Sequence, residues 1–481
     1  MNATPPSFLA DRLLTSLTFD ELEVGQTASI ERELTPTDIN LFAAMSGNVD
    51  PLHFSGGAAS RFRQPVGHGM WTSSLFSGLL GTRLPGPGTI YLSQTLTFVA
   101  PLHVGDTVTA TIRVAEKRRN GKGHERVTFD CSCDNQKGDP VVTGTAVVIP
   151  PSEHVAQAGV ELPDLQWIAH DQLARLTAKC ADLPPLPTAV VYPCDETSLR
   201  GASTGAAMGL IDPVLVGPLA QLRVLAEQLG LDIAAHRIVD AASPIDAALK
   251  GVALARNGEV GAVMKGALHT DELMGAIVRR DTGLRTSKRI SHVFVMSVPT
   301  YPKPLLITDA VVNIAPEADD KAGIIQNAVE LARVLGVETP RVAVLSAVET
   351  VNPKIQSTVD AAALCKMADR GQITGAIVDG PLAFDNAISA EAARTKGIRS
   401  AVAGRPDILL VPELASGNML VKQLSFLAHA DAAGIVLGAA VPVMLTSRAD
   451  SLPSRLASCA LAVLLANKAT GNGAAGTEAA K

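Results

Sequence analysis

Four segments between residues 89 and 150 alternate apolar and polar side chains and have Gly, Pro, Asn or Asp at their ends. Alternation with a period of two, bounded by turn-forming residues, is typical of half-buried strands. The pattern therefore predicts a strand meander at residues 89–101, 106–117, 125–135 and 141–150. Upstream, residues 69–83 form an apolar stretch of helical length. One long helix followed by a meander predicts an α+β domain in which the sheet wraps the helix.

From residue 188 onward, short apolar runs alternate with helix-length segments, which is typical of α/β domains with a parallel sheet. The runs occupy residues 189–192, 213–217, 261–264, 292–298, 305–313, 341–346, 375–378, 408–412 and 442–446. We therefore expect one domain at residues 1–155 and an α/β domain at residues 188–467. The Pro-punctuated residues 156–187 are expected to be a linker with one amphipathic helix at 165–183. The Ala-, Gly- and Thr-rich residues 468–481 are expected to be a disordered tail.

Composition narrows the class of protein. The chain has 481 residues, of which 47% are hydrophobic and 18% charged, and its net charge is −6. An acidic balance argues against a nucleic-acid partner. The six cysteines are scattered without paired CxxC motifs, so we expect no metal site. No signal peptide and no apolar run of membrane-spanning length are recognisable, so we expect no membrane partner and a cytoplasmic location.

The segment Met45-Ser-Gly-Asn-Val-Asp-Pro-Leu-His53 places a histidine five residues after a polar side chain, on a turn bounded by Gly and Pro. It precedes Gly67-His-Gly-Met70 and the predicted helix. With Leu84-Pro-Gly-Pro-Gly-Thr-Ile-Tyr-Leu-Ser93, these segments resemble the MaoC-like, (R)-specific enoyl-CoA hydratases, and the similarity spans most of residues 18–150. The resemblance implies a hot-dog fold. The family normally has Asp at the position of Asn48 and Asn at the position of Asp50.

Hydration of an enoyl thioester needs a base for the attacking water, an acid for Cα and a donor for the thioester oxygen. The resemblance implies that His53 transfers protons. The amide of Gly69, preceded by His68, is the candidate donor, because helix N-termini present free N–H groups. Asn48 can hold water but cannot accept a proton at neutral pH. Either Asp50 pairs with His53 in an active hydratase, or the domain binds acyl-CoA with slow or absent hydration.

Several segments of residues 188–467 resemble, in order, the phosphate acetyl/butyryltransferase family. They include Val190-Val-Tyr-Pro-Cys-Asp-Glu196, Val263-Met-Lys-Gly-Ala-Leu-His-Thr270, Val378-Asp-Gly-Pro-Leu-Ala-Phe-Asp-Asn-Ala387, Gly417-Asn-Met419 and Leu445-Thr-Ser-Arg-Ala-Asp450. The resemblance implies two α/β subdomains with the active cleft between them. It also implies acyl transfer between phosphate and CoA without a covalent enzyme intermediate, because the CoA thiolate is itself the nucleophile.

The last of these segments carries the candidate catalytic residues. The guanidinium of Arg448 can grip two phosphate oxygens, and Ser447 can donate a hydrogen bond to the carbonyl or the phosphate. Asp450 is either the base for the thiol or the cap of a helix at residues 452–465. Acetyltransferases carry an Asp where this chain has Ser454, and an Arg that they place upstream has no clear match near residues 422–425. These departures favour the broader acyl or butyryl branch.

The candidate substrate contacts in this half are Lys265, Gly266, His269, Thr270, Asp379, Asp385 and Asn418. Residues 265–270 follow a strand and open a helix, so they either hold an anion or form an ordinary turn with Thr270 as the cap. For Asp379 and Asp385, the resemblance implies a place in the cleft, and the alternative is a turn-forming role.

Taken together, these patterns predict a bifunctional acyl-CoA enzyme that hydrates enoyl-CoA and exchanges acyl groups between CoA and phosphate. The alternative is a phosphate acyltransferase whose hot-dog domain is a non-catalytic acyl-CoA sensor or oligomerisation module. CoA, acyl-CoA and phosphate or acyl phosphate are the expected partners, with no tightly bound cofactor. A homo-oligomer is expected.

Overall fold

The computed structural model describes residues 13–54, 62, 64–121, 124–160, 172–446 and 450–475, with side chains as far as residue 468. Packing divides the chain into two units, Met1–Trp167 and Ile168–Lys481. Within the described ranges, no helix has both the length and the apolar character needed to cross a membrane.

The N-terminal unit contains one five-stranded antiparallel sheet, in the order β2-β4-β5-β6-β3, and a short β1–β7 pair. Its strands are β1 (Leu13–Thr15), β2 (Thr27–Glu33), β3 (Ile90–Phe98), β4 (Thr107–Arg119), β5 (Glu125–Asn135), β6 (Pro140–Ile149) and β7 (Ala156–Ala158). Its helices are α1 (Pro36–Ser46) and α2 (Gly69–Thr82), and a 3-10 turn covers Pro51–His53.

The predicted helix and meander are confirmed as α2 and β3–β6. Alternate residues are buried from Val108 to Val114 in β4 and from Val127 to Cys133 in β5, because one face of the sheet packs on α2. Phe76 and Leu79 of α2 lie in the same apolar core as Ile112 and Phe129 of these strands. This wrapped helix is the hot-dog arrangement.

Helix α1 is an element that the alternation pattern did not predict. Its cap is Thr35, whose hydroxyl accepts a hydrogen bond from the amide of Asp38 at 3.2 Å. The Asp38 carboxylate accepts from the amide of Thr35 at 2.9 Å, which closes a capping box. The helix ends at Gly47, whose φ of 73° is left-handed. This stop places Asn48 at the start of the turn that carries His53.

The C-terminal unit is an α/β domain built on an 11-stranded sheet, in the order β10-β9-β8-β11-β18-β17-β12-β13-β16-β14-β15. Its strands are β8 (Leu186–Val191), β9 (Ile211–Gly217), β10 (Ile238–Asp240), β11 (Ala262–Lys265), β12 (Ser291–Ser297), β13 (Leu305–Thr308), β14 (Arg341–Leu345), β15 (Ile377–Leu382), β16 (Ile408–Leu410), β17 (Asp431–Leu437) and β18 (Val443–Met444).

Helices flank this sheet. They are α3 (Gln172–Ala178), α4 (Glu196–Ala207), α5 (Leu219–Leu229), α6 (Pro244–Arg256), α7 (Thr270–Ile277), α8 (Ala318–Val334), α9 (Gln356–Asp369), α10 (Phe384–Ile388), α11 (Ala390–Thr395), α12 (Leu414–Leu427) and α13 (Leu452–Ala475).

Most neighbouring strands of the sheet are parallel, as predicted, but β12 and β17 depart from that rule. Strand β12 pairs antiparallel with β13 and β17, and β17 pairs antiparallel with β18. Each predicted apolar run overlaps a strand, because strands covered on both faces are almost continuously apolar. The carboxyl ends of β11 and β18, which pair in parallel, meet at one edge of the sheet.

The helices at the two ends of this unit differ in their bounds from those expected from the sequence. Helix α13 runs to Ala475, so it covers most of residues 468–481, for which composition had predicted disorder. Helix α3 (Gln172–Ala178) lies within the helix expected at residues 165–183, ends five residues before the expected end, and packs Leu173 and Leu176 into the core. Residues 161–171 and 476–481 lie outside the described residues.

Candidate functional site

His53 in the N-terminal unit is held by two hydrogen bonds. Its Nδ1 lies 2.7 Å from the carbonyl oxygen of Val66. A carbonyl only accepts, so Nδ1 carries the proton and Nε2 presents its lone pair. The side-chain amide of Asn48 lies 3.3 Å from Nε2 and therefore donates to that lone pair. The nitrogen that would take a proton from water is thus engaged by Asn48.

His68 stacks on His53, with ring centroids 3.7 Å apart. It is only 3% exposed, and its Nε2 donates to the backbone carbonyl of Asn48 at 3.1 Å. Burial lowers the pKa of His68, and the nearby charge of His53 lowers it further, against the opposing effect of the Asn48 carbonyl. His68 is therefore a neutral ring that fixes the Asn48 backbone and one face of His53.

Asp50 is exposed, and its carboxylate accepts a hydrogen bond from the amide of Leu52 at 2.9 Å. That contact makes it the cap of the Pro51–His53 turn. The pairing of Asp50 with His53, one of the two possibilities left by the sequence, is not the arrangement of this turn.

A cavity of about 400 Å³ lies beside His53 and the start of α2. Gly69, at the first position of α2, lines it, and a Cβ there would come within 2.9 Å of the Phe98 ring. The wall is otherwise largely apolar and includes Leu52, Val66, Val99 and Leu102. The sequence-predicted pair His53 and Gly69 therefore faces an apolar cavity, which suits an acyl chain rather than a polar ligand.

A second cavity, of about 610 Å³, lies in the C-terminal unit beyond the carboxyl ends of β11 and β18. Five of the residues predicted from the sequence line it, and they come from three separate parts of the chain: Lys265, His269, Thr270, Asn418 and Asp450. Lys422, Asp431 and Ser454 also line it. Crevices at the carboxyl ends of strands are the usual ligand sites of open α/β sheets.

Lys265 ends β11 and is 5% exposed. Its ammonium donates to the backbone carbonyls of Gly266, at 3.4 Å, and Thr446, at 3.3 Å. Gly266 itself packs against backbone, because a Cβ there would lie 2.5 Å from the carbonyl oxygens of Val191 and Tyr192. The backbone of Gly266, beside the cavity, therefore lies too close to the backbone of residues 191–192 to leave room for a side chain.

The cap of α7 is not the residue that the sequence suggested for an ordinary turn. His269, not Thr270, occupies the cap position of α7, and its amide donates to the carboxylate of Glu272 at 2.8 Å. Asn418 of α12 donates its side-chain amide to the carbonyl of Ala310 at 3.3 Å. His269, Thr270 and Asn418 each keep a place on the cavity wall.

The end of β18 leads into the candidate catalytic segment. Ser447 and Arg448 lie outside the described residues. Asp450 lines the cavity, and the cap role open to it falls to its neighbour, because the Ser451 hydroxyl accepts from the amide of Ser454 at 3.3 Å. Asp450 therefore lies at the cavity wall, next to Ser451, which caps α13.

Two predicted contacts are held in local interactions and are not among the residues that line the cavity. The Asp379 carboxylate accepts from the adjacent amide of Gly380 at 2.9 Å. Asp385 pairs with Lys396 at 3.0 Å, and this hydrogen-bonded cation lowers the pKa of Asp385. Both contacts favour the turn and surface roles over the cleft role that the resemblance implied.

A larger cavity, of about 1160 Å³, lies on another side of α12, where Glu413, Ser416 and Leu420 face it. Its described lining contains none of the residues predicted from the sequence, and a buried Lys321–Asp360 ion pair forms part of its wall. The smaller cavity, which the predicted residues line, is therefore the candidate functional site of this unit. Among the described residues, no group of three or more His, Cys, Asp or Glu side chains is arranged to hold a metal ion.

Comparison with known proteins gives two family matches. Residues 242–463 match the phosphate acetyl/butaryl transferase family, and residues 20–132 match the MaoC like domain. A phosphate acetyltransferase from Rhizobium meliloti is 58% identical over 292 residues, which are 61% of this chain and 92% of that protein. A phosphate butyryltransferase from Clostridium beijerinckii is 40% identical over 291 residues, 60% of this chain and 96% of that protein.

Among solved structures, a branched-chain phosphotransacylase from Enterococcus faecalis V583 superposes with a TM-score of 0.51 at 29% identity. The match covers 58% of this chain and 99% of that one. Both resemblances recognised in the sequence are thereby confirmed at the level of family and fold. The chain belongs to the phosphate acetyl/butyryl transferase family and joins that domain to an N-terminal MaoC-like domain.

Proposed function

We propose that the C-terminal unit transfers an acyl group between CoA and phosphate. The observation that carries the proposal is the 610 Å³ cavity, where Lys265, His269, Thr270, Asn418 and Asp450 meet at the carboxyl ends of β11 and β18. The 58% identity to a phosphate acetyltransferase supports the same reaction.

The proposed step is attack of the CoA sulfur on the acyl carbon of an acyl phosphate. The C–S bond forms, the bond from the acyl carbon to the phosphate oxygen breaks, and inorganic phosphate leaves. Asp450 takes the thiol proton, since it is the acidic residue of the predicted catalytic segment that lines the cavity. Lys422, together with Ser447 and Arg448 of the adjacent segment, offers cationic and hydroxyl donors for the phosphate.

The positions of Lys265 and Gly266 support a framework role for both. The Lys265 ammonium donates a hydrogen bond to the Thr446 carbonyl just after β18 and adds positive potential at the cavity wall. The turn between β11 and α7 presents the N-terminus of α7, a favourable place for the anionic part of CoA or phosphate.

The test is formation of acyl phosphate and CoA from acyl-CoA and phosphate by the full chain. Acetyl-CoA and butyryl-CoA are compared, because identity is higher with the acetyltransferase than with the butyryltransferase, whereas Ser454 favours a broader acyl range. Asp450→Asn should lower kcat by about 10²- to 10⁴-fold, the usual contribution of a proton-transfer group. Asp385→Asn, at a surface ion pair, is the matched control and should keep the wild-type rate. Equal rates for the two variants would show that Asp450 has no part in the mechanism. An inactive wild type would refute the proposed function.

For the N-terminal unit, we propose acyl-CoA binding with little hydration, the second of the two possibilities left by the sequence. The specific observations are the hydrogen bond from Asn48 to His53 and the use of the Asp50 carboxylate as a cap. The apolar 400 Å³ cavity beside Gly69 supports an acyl chain as the occupant. Binding of a non-reactive saturated acyl-CoA, measured by calorimetry with His53→Ala and Gly69→Val, tests it. Gly69→Val should abolish binding through contact with Phe98, while His53→Ala should retain it.

We further propose that the chain acts as a cytoplasmic homo-oligomer, with CoA species as substrates and no tightly bound cofactor. Strand β3 is an edge of its sheet and exposes the apolar side chains of Ile90, Leu92 and Phe98. Exposed apolar edge strands favour pairing with another chain. Light scattering on the wild type and on Leu92→Lys tests the contribution of this edge, and a monomeric wild type would refute it.

A further inference from the structure

The 610 Å³ cavity has an apolar side as well as the polar side that carries Lys265 and Asp450. Side chains from β12, β17 and α12 line the apolar side, among them Phe294, Ala432 and Val421. The proposed proton transfer and phosphate binding use polar groups and give this side no role. An apolar wall beside the reacting groups suits the hydrocarbon part of an acyl group.

Two phenylalanines of the described chain line this cavity, and they differ in how firmly they are held. Phe426 lies near the end of α12 and is 72% exposed. Phe294 lies in the middle of β12, is partly buried, and packs against the apolar core that also contains Val421 of α12. Phe294 is therefore the bulky side chain that belongs to the wall itself.

The ring of Phe294 is supported from behind by the sheet. Phe294 pairs with Gly434 of β17, and residues directly opposite in an antiparallel ladder project from the same face. A Cβ at Gly434 would come within 3.3 Å of the Phe294 ring and 2.9 Å of the His292 ring. The Phe294 ring also meets the His292 ring edge to face, with centroids 4.3 Å apart. Since His292 is fully buried, the Phe294 ring cannot move back into the sheet.

A small side chain lies next to this ring. Ala432 pairs with Met296 in the same ladder, so it is the diagonal neighbour of Phe294 on the same face. Ala432 and Phe294 both line the cavity. A methyl group beside a fixed aromatic ring leaves a shallow apolar recess, which the ring closes on one side.

We propose that Phe294 is a specificity-determining residue of the acyl-transfer site. The acyl group lies in the recess beside Ala432, and the Phe294 ring limits it to short chains, from acetyl to butyryl. One methylene in a hydrophobic pocket is worth about 10- to 200-fold in kcat/KM, so a closed recess discriminates between successive chain lengths. This inference rests on the proposed acyl-transfer function of the cavity.

The test is acyl phosphate formation by the full chain from phosphate and acetyl-, butyryl- or hexanoyl-CoA. The wild type should have a kcat/KM for hexanoyl-CoA at least about tenfold below that for butyryl-CoA. Phe294→Ala should raise the ratio of hexanoyl to butyryl kcat/KM by about 10- to 200-fold, because it opens the recess. Phe294→Leu, which keeps more of the core contacts, should change the ratio in the same direction by a smaller factor. A ratio of two substrates in one preparation does not depend on the folded fraction.

Two further variants complete the design. Ala432→Leu fills the recess and should lower the ratio of butyryl to acetyl kcat/KM by about tenfold or more. Phe384→Ala is the matched control, because Phe384 is a partly exposed phenylalanine of the same unit that lines the larger cavity instead. It should keep both wild-type ratios.

The outcomes separate the inference from the function on which it rests. Wild-type ratios in both Phe294 variants, or rates that fall by the same factor for every acyl group, would overturn the inference and leave the transferase function standing. A wild type that forms no acyl phosphate from any of the three thioesters would refute the proposed function itself.

Discussion

Replacing Asn48 with Asp should convert a slow hydratase into a fast one. In the wild type, the Asn48 amide donates to Nε2 of His53 at 3.3 Å, while Nδ1 of the same ring donates a hydrogen bond to the backbone carbonyl of Val66. The lone pair that would deprotonate water is therefore already engaged. A carboxylate at residue 48 has no proton to donate at neutral pH, so it frees that lone pair and adds a second proton-transfer group.

The expected gain follows from these two terms. A neutral hydrogen bond is worth about 0.5–1.5 kcal/mol, so freeing Nε2 contributes roughly 2- to 10-fold. A positioned acid or base contributes about 10²- to 10⁴-fold. Even at the lower limits of both terms, Asn48→Asp should raise kcat for hydration by about 10²-fold or more.

The assay is loss of the enoyl thioester absorbance of crotonyl-CoA, with purified full-length protein. Asn48→Asp combined with His53→Ala sets the blank, and Asp50→Asn is the matched control. Because Asn and Asp cap helical turns about equally well, Asp50→Asn should leave the wild-type rate unchanged. The double variant Asn48→Asp, Asp50→Asn restores the order usual in the hydratases and should match or exceed the single variant.

Two results would refute this reasoning. A wild-type rate far above the blank, lost in Asp50→Asn, would mean that Asp50 leaves its cap and acts with His53. No gain in Asn48→Asp, despite retained acyl-CoA binding, would mean that the cavity holds the acyl group in a position that residue 48 does not reach.

Three further predictions concern the C-terminal unit. Burial lowers the pKa of His292 to about 3, so between about pH 6.5 and pH 3 the unfolded chain binds a proton that the folded chain does not. The free energy of unfolding should therefore be at its full value above about pH 6.5 and should decrease as the pH falls toward 3. At pH 5 the loss should be about 2 kcal/mol, and urea unfolding of His292→Gln should lack this pH-dependent component; an identical pH dependence in the variant would contradict the assignment. Gly266→Ala should destabilise the unit by about 1–3 kcal/mol in urea titrations, because its Cβ would lie 2.5 Å from the carbonyl of Tyr192, and an unchanged midpoint would show that the turn yields. Lys321→Met should cost about 3–5 kcal/mol by leaving the buried Asp360 carboxylate without its cation, and a pH scan should show the loss shrinking in acid as that carboxylate becomes protonated.

Local patterns in the sequence predicted much of the fold. Alternation marked β4 and β5 because each buries one face on α2. Apolar runs marked nine of the strands of the 11-stranded sheet, but β10 and β17 were not predicted. Helix α1 went unpredicted, although its signal was present: Thr35, Pro36 and Asp38 form a readable capping box. The end of α13 was misjudged because Ala and Gly richness was read as disorder, although Ala favours helix.

The candidate sites were predictable only where a motif carried the chemistry. His53, Lys265 and Asp450 were named from motifs. The stacking of His68 on His53 and the hydrogen bond from Lys265 to Thr446, which spans 181 positions, depend on contacts between separate segments of the chain. Periodicity describes one element at a time and therefore carries no information about such pairings.

The 11-stranded sheet has one narrow seam. Strands β12 and β17 share seven residue pairs, whereas β17 and β18 share only Val436 and Val443. The cavity touches both sides of this seam, through Asp431 on β17 and Thr446 after β18. Bending of the sheet should concentrate at the strand pair with the fewest backbone hydrogen bonds. The pair β17–β18 has few such bonds, and it also borders the cavity. A ligand that binds both Asp431 on β17 and Thr446 after β18 would link these two strands where backbone hydrogen bonds are few, and its binding should stiffen the sheet.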